Sequence, residues 1–564
     1  MNYAYDRALG EIARELSQRV ARLAPALDGA AQAAPAINLN PTRDASHGDF
    51  ATPVALAAAK MWKGDPYEIA QGVAAQGSDG MPAVAHVDAV RPGYVNLTMG
   101  VPFWAEVVRD VLRMGPDYGR STELQDAGPL VIEFVSANPT GPLVVVQGRS
   151  SALGATLSEM MRFAGCAVTA ETYVNDAGAQ LEALAGSVYA RYATLLGRET
   201  ALPDNGYPGS YIVDIARKLI ERDGPRWLDA PFEERHSAIG RFARDLIVDE
   251  QREDLDRFRV HFDRWTSEAA LHDSGAIALA MDELRASGHT FERDGALWLR
   301  ATDFGDDKDR VLLRSDGRPT YLAADAAYHA DKLRRGHRYL LNILGPDHHG
   351  YILRLKALVA AMGHPGSLEV LLAQHVTFKR AGETVSMSKR AGDLVTLREV
   401  MDQVGVDAAR YFFIDRAPES HLVFDMELAI EQSAKNPVYY VQYGHARIAS
   451  ILRRAEGDGK SPLLERGRAG ADLDRLEHKA EIALIRRIAD FRRTVAAAAR
   501  ARAPHRLAEY AHAVATDFHG FYTDCLVLSD NDALTSARLS LCLAAKTVLA
   551  SALRLIGVSA PEKM

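Results

Sequence analysis

Three polar loops carry the residue types best suited to chemistry in this chain. Ser136-Ala137-Asn138-Pro139-Thr140-Gly141-Pro142 follows a short apolar run, 130–135, that holds one embedded acid, Glu133. Gly345-Pro346-Asp347-His348-His349-Gly350 follows a second apolar run, Tyr339–Leu344. The third loop, Val385-Ser386-Met387-Ser388-Lys389-Arg390-Ala391-Gly392, is small, polar and basic. A lysine on such a loop can reach nucleotide phosphates as a point charge; solvated surface loops carry Ser-Lys-Arg triplets as well. Asp347, His348 and His349 are metal-ligand types. Nothing nearby in the sequence completes a structural site, so no metal is expected there.

The elements around these loops follow one grammar. Residues 130–135 read as a buried strand. The pattern after the first loop puts Leu153, Leu157, Met160 and Met161 on one helical face and stops near Gly165; Val168–Val174 supplies the next strand. Strand, loop, helix and strand make a parallel βαβ unit. The unit recurs as Tyr339–Leu344, a helix over 351–362 ended by Gly363, and a strand at Leu368–Leu372. Two such pieces around a long insertion predict one doubly wound sheet, whose ligands bind at the carboxyl ends of the strands. Upstream, 1–120 alternates helical patterns with strand-like runs at 85–90 and 94–98, and beyond about 400 helix follows helix. The expected fold is multidomain: an α+β N-terminal domain over 1–120, an α/β Rossmann-like domain with insertions over 121–400, and an all-α C-terminal domain over 401–564.

Composition narrows the function class. A chain of 564 residues exceeds one core. Its hydrophobic share of 48% and charged share of 25% are those of a soluble globular protein. No run approaches the ~20 uninterrupted apolar residues of a membrane helix, and 1–23 reads as an amphipathic helix instead of a signal peptide. Cys166, Cys525 and Cys542 form no close pair, which excludes a disulfide framework and fits a reducing, cytoplasmic setting. The net charge of -8 argues against indiscriminate nucleic-acid coating. Residues 433–564, however, hold 20 Lys+Arg against 14 Asp+Glu, a local +6 on a body of -14. A basic helical end suits a local polyanion contact; a solvated helical surface would look the same.

The loops belong to longer blocks. Ser136 through Leu143, with Gly148-Arg149, resembles the first signature region of arginyl-tRNA synthetases, and Met387-Ser388-Lys389-Arg390 resembles the second class I signature, the Lys-Met-Ser-Lys loop. Tyr173-Val174-Asn175-Asp176-Ala177-Gly178, the stretch from Asp303 to Val311, that from Asn436 to Arg447, the terminal stretch from Gly557 to Met564 and the early Ser46-His47-Gly48-Asp49-Phe50-Ala51 are similar to the bacterial family, in the expected order. The resemblance implies that ATP and L-arginine form arginyl-adenylate, that the arginyl group moves to the terminal ribose of tRNA(Arg), and that Mg²⁺ enters with the phosphates. It implies a monomer. Glu133, Ser136 and Asn138 are expected at the amino-acid end of arginine. Tyr321 and Asp325, four apart on a predicted helix, are expected at its guanidinium. Val144, Gly148, Gly345, Asp347, His348, His349, Met387 and Ser388 are expected beside ATP, and Lys389, Arg390 and Gln147 at the transferring phosphate. The C-terminal helices resemble the anticodon-binding domain, where Tyr439, Tyr440, Tyr443 and Tyr510 are expected to stack on unpaired bases. Arg447 and Met564 are expected to contact tRNA, and Arg486, Arg487, Arg492 and Arg493 to track phosphates. The N-terminal domain is expected at the outer corner of the tRNA.

One block departs from the family. Its first signature continues His-Val-Gly-His or a close variant, where this chain has Val144-Val145-Val146-Gln147. In the family the imidazoles donate to the phosphates and the glycine makes room for adenine. Losing one preorganised donor of this kind costs ~2.7–4 kcal/mol of transition-state stabilisation, and two losses need not add. Ser386 likewise replaces the first lysine of the second signature, while Lys389 remains. Two readings follow: a working ligase with altered nucleotide contacts, or a noncatalytic tRNA- or arginine-binding relative.

Overall fold

The N-terminal residues build a helix against a small sheet. Ile12, Leu16 and Val20 recur at helical spacing and are buried along α1 (Ala4–Leu23). Strands β1 (Val84–Val90) and β2 (Tyr94–Met99) pair antiparallel, and the sheet continues through Phe50–Thr52 to Asn40–Pro41. Helix α2 (Val101–Met114) follows, with Pro102 in its first turn, where a missing N–H costs nothing. This computed structural model describes residues 3–24, 26–27, 30–31, 34–42, 44–380, 382–385 and 395–564.

The central domain is a five-stranded, wholly parallel sheet. In chain order it comprises β3 (Leu130–Glu133), α3 (Val145–Phe163), β4 (Val168–Val174), α4 (Phe232–Arg257), β5 (Arg264–Ser267), α5 (Glu268–Asp273), α6 (Tyr321–Arg334), β6 (Tyr339–Leu344), α7 (Ile352–Ala361) and β7 (Leu368–Leu372). The strand order is β7-β6-β3-β4-β5. The chain leaves β3 toward β4 on one side and returns to β6 on the other, which makes the β3/β6 boundary a topological switch point. Leu130, Val131 and Ile132 are buried on both faces of β3. Leu153, Leu157, Met160 and Met161 of α3 are fully buried beside it, each worth about 1.5–3 kcal/mol. Gly154 permits this approach: a Cβ there would lie 2.1 Å from Phe134 Cγ. The long insertion has two cores of its own. One gathers Leu184, Tyr192, Ile212, Trp227 and Ile239; the other packs α6 on Met281, Leu284, Leu299 and Leu312.

After α8 (Leu397–Val404) and α9 (Val406–Ile414) comes a bundle of α10 (Pro437–Gly457), α11 (Lys479–Ala489), α12 (Phe491–Arg500), α13 (His505–Asp524) and α14 (Asp532–Leu555). By length and composition α14 could cross a membrane. Here it is a core helix, with Leu541, Cys542, Ala545, Val548, Leu549 and Ala552 fully buried against its neighbours α10 and α13.

Two expectations about this bundle are corrected. The arginines expected to track phosphates are each paired with a carboxylate of the protein, although Arg493 remains exposed. Arg486 pairs with Asp49 and lies over Trp104 at 5.6 Å, and Arg492 pairs with Asp6 and lies over Tyr3 at 4.9 Å. Arg487 binds Asp517 at 2.7 Å and Arg493 binds Asp490 at 2.9 Å. Each guanidinium sits within reach of a fixed carboxylate, and the first two join the C-terminal helices to the N-terminal domain. Tyr510, expected to stack on an anticodon base, is a core residue. Its ring is buried on Phe491 at 5.5 Å, and its hydroxyl donates to the Arg487 carbonyl at 2.8 Å.

Candidate active site

Strand β3 ends in a strained turn. Val135 has φ +70°, and the Ser136 N–H donates to the Phe134 carbonyl at 3.0 Å. Such a γ-turn at a β-branched residue costs on the order of 1–3 kcal/mol. It folds Ser136 back over the strand end, so that its hydroxyl donates to Glu133 Oε1 at 2.9 Å and accepts from the Tyr173 N–H at 3.2 Å. From α6, the fully buried Lys332 donates to Glu133 Oε2 at 2.6 Å, and its Nζ lies 3.9 Å from the Tyr328 ring centre. Burial alone would raise the Glu133 carboxyl. The Lys332 charge, with the hydrogen bonds from Lys332 and Ser136, outweighs it and holds the group below its ordinary value.

A second carboxyl sits seven residues before Lys332 on the same helix. Asp325 is half-buried and accepts from the Tyr351 hydroxyl. Burial first, then the charges of Glu133 and Glu268, push it up to about 7. Glu268, at the start of α5, is raised by burial, while a hydrogen bond from Tyr173 and the neighbouring His272 pull the other way. The Tyr173 and Tyr328 rings lie 4.6 Å apart between these acids. His329 is pushed down to about 4 by burial and by Lys332, so it is neutral. Its Nδ1 is 2.8 Å from the Asp325 carbonyl and its Nε2 is 3.2 Å from Asn342 Nδ2, which assigns the proton to Nδ1. Three carboxyls, two tyrosines and no bound counter-ion for Asp325 among the described residues make a cleft matched to a cationic, planar donor group. Tyr321, one turn before Asp325 at the head of α6, is 73% exposed. Asn138 is exposed; its carbonyl and that of Gly141 accept from Gln251 of α4 at 3.3 and 2.8 Å, and Tyr211 donates to the Thr140 carbonyl at 2.7 Å.

The nucleotide side is built where α3 begins. Gln147 Oε1 accepts the Val144 N–H at 2.9 Å, closing the first turn and leaving the Gln147 amide hydrogens for another acceptor. Leu143 and Val145 form backbone bonds with Leu397 and Val395, at 2.8 and 3.3 Å. The first loop is thereby tied to the segment that directly follows the third loop. Met387, Ser388, Lys389 and Arg390 lie outside the described residues. Gly148, expected beside ATP, also packs closely: a Cβ there would lie 2.9 Å from Leu397 Cδ1 and 3.2 Å from Phe413 Cε2. Gly345 is partly buried after β6, while Asp347, His348 and His349 are exposed in the following turn. Among the described residues no group of three or more His, Cys, Asp or Glu is placed to hold a metal ion.

Known proteins match this arrangement along its whole length. The family models described as arginyl tRNA synthetase N terminal domain, tRNA synthetases class I (R) catalytic domain, and DALR anticodon binding domain match residues 10–99, 108–449 and 441–564. The chain belongs to the arginyl-tRNA synthetase family. It is 44% identical to an arginine–tRNA ligase of Geobacillus kaustophilus, over 99% of this chain and all of the relative, and 45% identical to one from Frankia alni over 93% and 94%. A crystal structure of an arginyl-tRNA synthetase from Campylobacter jejuni superposes with a TM-score of 0.75 at 32% identity, covering 83% of this chain and 100% of that one. The Thermus thermophilus arginyl-tRNA synthetase shares the fold, with a TM-score of 0.71 at 22% identity over 98% and 99%.

Within this arginyl-tRNA synthetase fold, the tyrosines of α10 form a surface ladder. Tyr439 and Tyr443 stack at 6.2 Å, Arg447 lies over Tyr443 at 5.5 Å and over Tyr522 at 4.9 Å, and Tyr440 stacks on His512 at 4.7 Å. Met564 is exposed. Sequence reasoning missed Lys332, Tyr351 and Glu268. Lys332 had a signal, since 325 and 332 differ by two helical turns and share the face already assigned to Tyr321 and Asp325. Glu268 and Tyr351 reach the cleft from the ends of strands β5 and β6, and nothing in their local spacing announces it.

Proposed function

We propose that the cleft at the β3/β6 switch point binds L-arginine, with its α-ammonium at Glu133, Ser136 and Asn138 and its guanidinium at Asp325, Glu268 and Tyr321. The chain activates arginine with ATP and transfers it to the 3′ end of tRNA(Arg). The arginine carboxylate attacks the α-phosphorus of ATP, pyrophosphate leaves, and the terminal ribose hydroxyl then displaces AMP from the arginyl carbonyl. What supports this reading above all is the convergence of three acids on one cleft of a family member matched from end to end. The noncatalytic alternative gains nothing from the comparisons, since the matched relatives are named as ligases.

ATP lies along the start of α3, with Val144 and Gln147 near its phosphates, Gly345, Asp347, His348 and His349 on its other side, and Met387, Ser388, Lys389 and Arg390 reaching over it. The Gln147 amide donates where the family uses an imidazole, and Lys389 and Arg390 carry a larger share of the phosphate charge. Mg²⁺ would enter with the ATP phosphates and screen their charge. The N-terminal domain, bounded near residue 120, meets the outer corner of the tRNA, and the helices beyond about 400 meet its anticodon through Tyr439, Tyr443, Arg447 and Met564. The protein acts as a cytoplasmic monomer. ATP–pyrophosphate exchange with arginine and tRNA(Arg) tests the assignment: Lys389→Ala is expected to lower the rate by about 10²-fold or more. An unchanged rate would remove Lys389 from the reaction.

A further inference from the structure

Two acids lie side by side on adjacent strands, Glu133 at the carboxyl end of β3 and Glu171 in the middle of β4, paired in register. Each is matched with a cation from the end of α6 or the residue just beyond it. Glu171 is fully buried, and Arg335 at 2.6 Å and the Thr266 hydroxyl at 2.7 Å occupy its two oxygens. It is closed to any ligand by its neighbours. Glu133 differs, because one of its partners is a loop hydroxyl at the mouth of the cleft and the other is a lysine with no exposed surface.

A buried ammonium–carboxylate pair is poor evidence for stability, because apolar residues of similar size usually serve a fold as well or better. This pair sits where charge matters for another reason. The groups facing Glu133 are Lys332, His329, Tyr328 and Asp325 from α6, Tyr173 and Glu171 from β4, and Ser136 from the turn. His329 is neutral and Arg335 is committed to Glu171. Lys332 is therefore the cation that sets the charge of Glu133 in a cleft that also gathers Asp325 and Glu268.

We propose that Lys332 is a positioning residue for the amino-acid substrate: its buried ammonium keeps Glu133 a carboxylate in the empty cleft and fixes it toward the site of the substrate α-ammonium. The inference rests on the reading that arginine occupies this cleft. Each Glu133 oxygen has one internal partner and one remaining lone pair, so an incoming ammonium adds to the arrangement without displacing Lys332. Binding then draws protons only from the raised acids on the guanidinium side, Asp325 and Glu268, and none from Glu133.

Calorimetry of arginine binding to the full chain, with tRNA(Arg) present, reads this directly. In the wild type, arginine affinity is expected to fall about tenfold from pH 8 to pH 6, with release of about one proton at pH 6 as measured across buffers of different ionisation enthalpy. In Lys332→Met the loss over the same interval is expected to approach 100-fold, because Glu133 must now also give up a proton. A Lys332→Met profile parallel to that of the wild type overturns the proposal. So does a Glu133→Gln protein that releases fewer protons on binding arginine than the wild type, which would mean that Glu133 was itself protonated in the empty cleft. Asp325→Asn separates this from failure of the site itself: if it binds arginine as the wild type does, arginine sits elsewhere and both readings fall.

Discussion

Replacing Asp325 with asparagine separates what the cleft costs from what it does. The Asp325 carboxyl is pushed up to about 7 by burial and by Glu133 and Glu268, against the hydrogen bond from Tyr351. In the unfolded chain an aspartyl group titrates near ~4. Between those values the folded protein holds a proton that the unfolded chain has lost. Stability from this group therefore falls as pH rises from ~4 to ~7 and is level above that. The whole gap corresponds to ~4 kcal/mol. Asparagine carries no charge and removes the penalty, while losing some of the hydrogen bond from Tyr351, so a net gain of about 1–3 kcal/mol is expected at pH 8. At pH 5 the wild-type group is already protonated, and the gain should shrink to near zero or reverse. Saturating arginine should invert the order at pH 8, because ligand stabilisation then belongs to the wild type. Differential scanning calorimetry at the two pH values, with and without arginine, provides all four comparisons. An equal stabilisation at pH 5 and pH 8 would trace the effect to packing and refute the electrostatic argument.

Other substitutions address the neighbouring features. Gly148→Ala should destabilise by about 1–3 kcal/mol in urea unfolding, since its methyl group meets Leu397 and Phe413; a neutral change would mean that α3 and α8 part easily. Replacing Val144→His, Val146→Gly and Gln147→His together should raise the rate of arginyl-adenylate formation by about 10²-fold, and no gain would show that donors at this loop do not limit the step. Arg492→Ala should weaken the protein to heat yet leave the slope of log Kd for tRNA against log salt unchanged, because the guanidinium is committed to Asp6. A slope reduced by about one would restore Arg492 as a phosphate contact. Tyr510→Phe should cost ~1 kcal/mol of stability, through the lost bond to the Arg487 carbonyl, without altering tRNA affinity.

Periodicity carried the fold well. The runs at Tyr339–Leu344, Val168–Val174 and Leu368–Leu372 are strands, and the face of Leu153, Leu157, Met160 and Met161 is the buried face of α3. These are elements whose side chains meet one continuous core, so local pattern and tertiary burial agree. Strand β3 is shorter than its apolar run because the γ-turn at Val135 takes the last two residues out of the sheet. The site was legible only in part. Motif residues on one helix or loop were found, whereas Glu268, Tyr351 and Gln251 come from elements far apart in the chain. The basic C-terminal faces misled for a related reason. Composition counts Arg486 and Arg492 as surface charge, but whether a guanidinium meets solvent or Asp49 and Asp6 depends on how the domains dock.

The pairing of Arg486 with Asp49 and of Arg492 with Asp6 closes the chain on itself, with α2 also packed against α11 and α14. Domains joined only in series would each diffuse about a linker, and a long partner that touches both outer domains would have to freeze that freedom as it binds. Here folding has already fixed the span between them. The protein therefore works as a calliper: its jaws are set in advance, a partner of the right span is gripped with little added ordering, and one of the wrong span must first part these ion pairs.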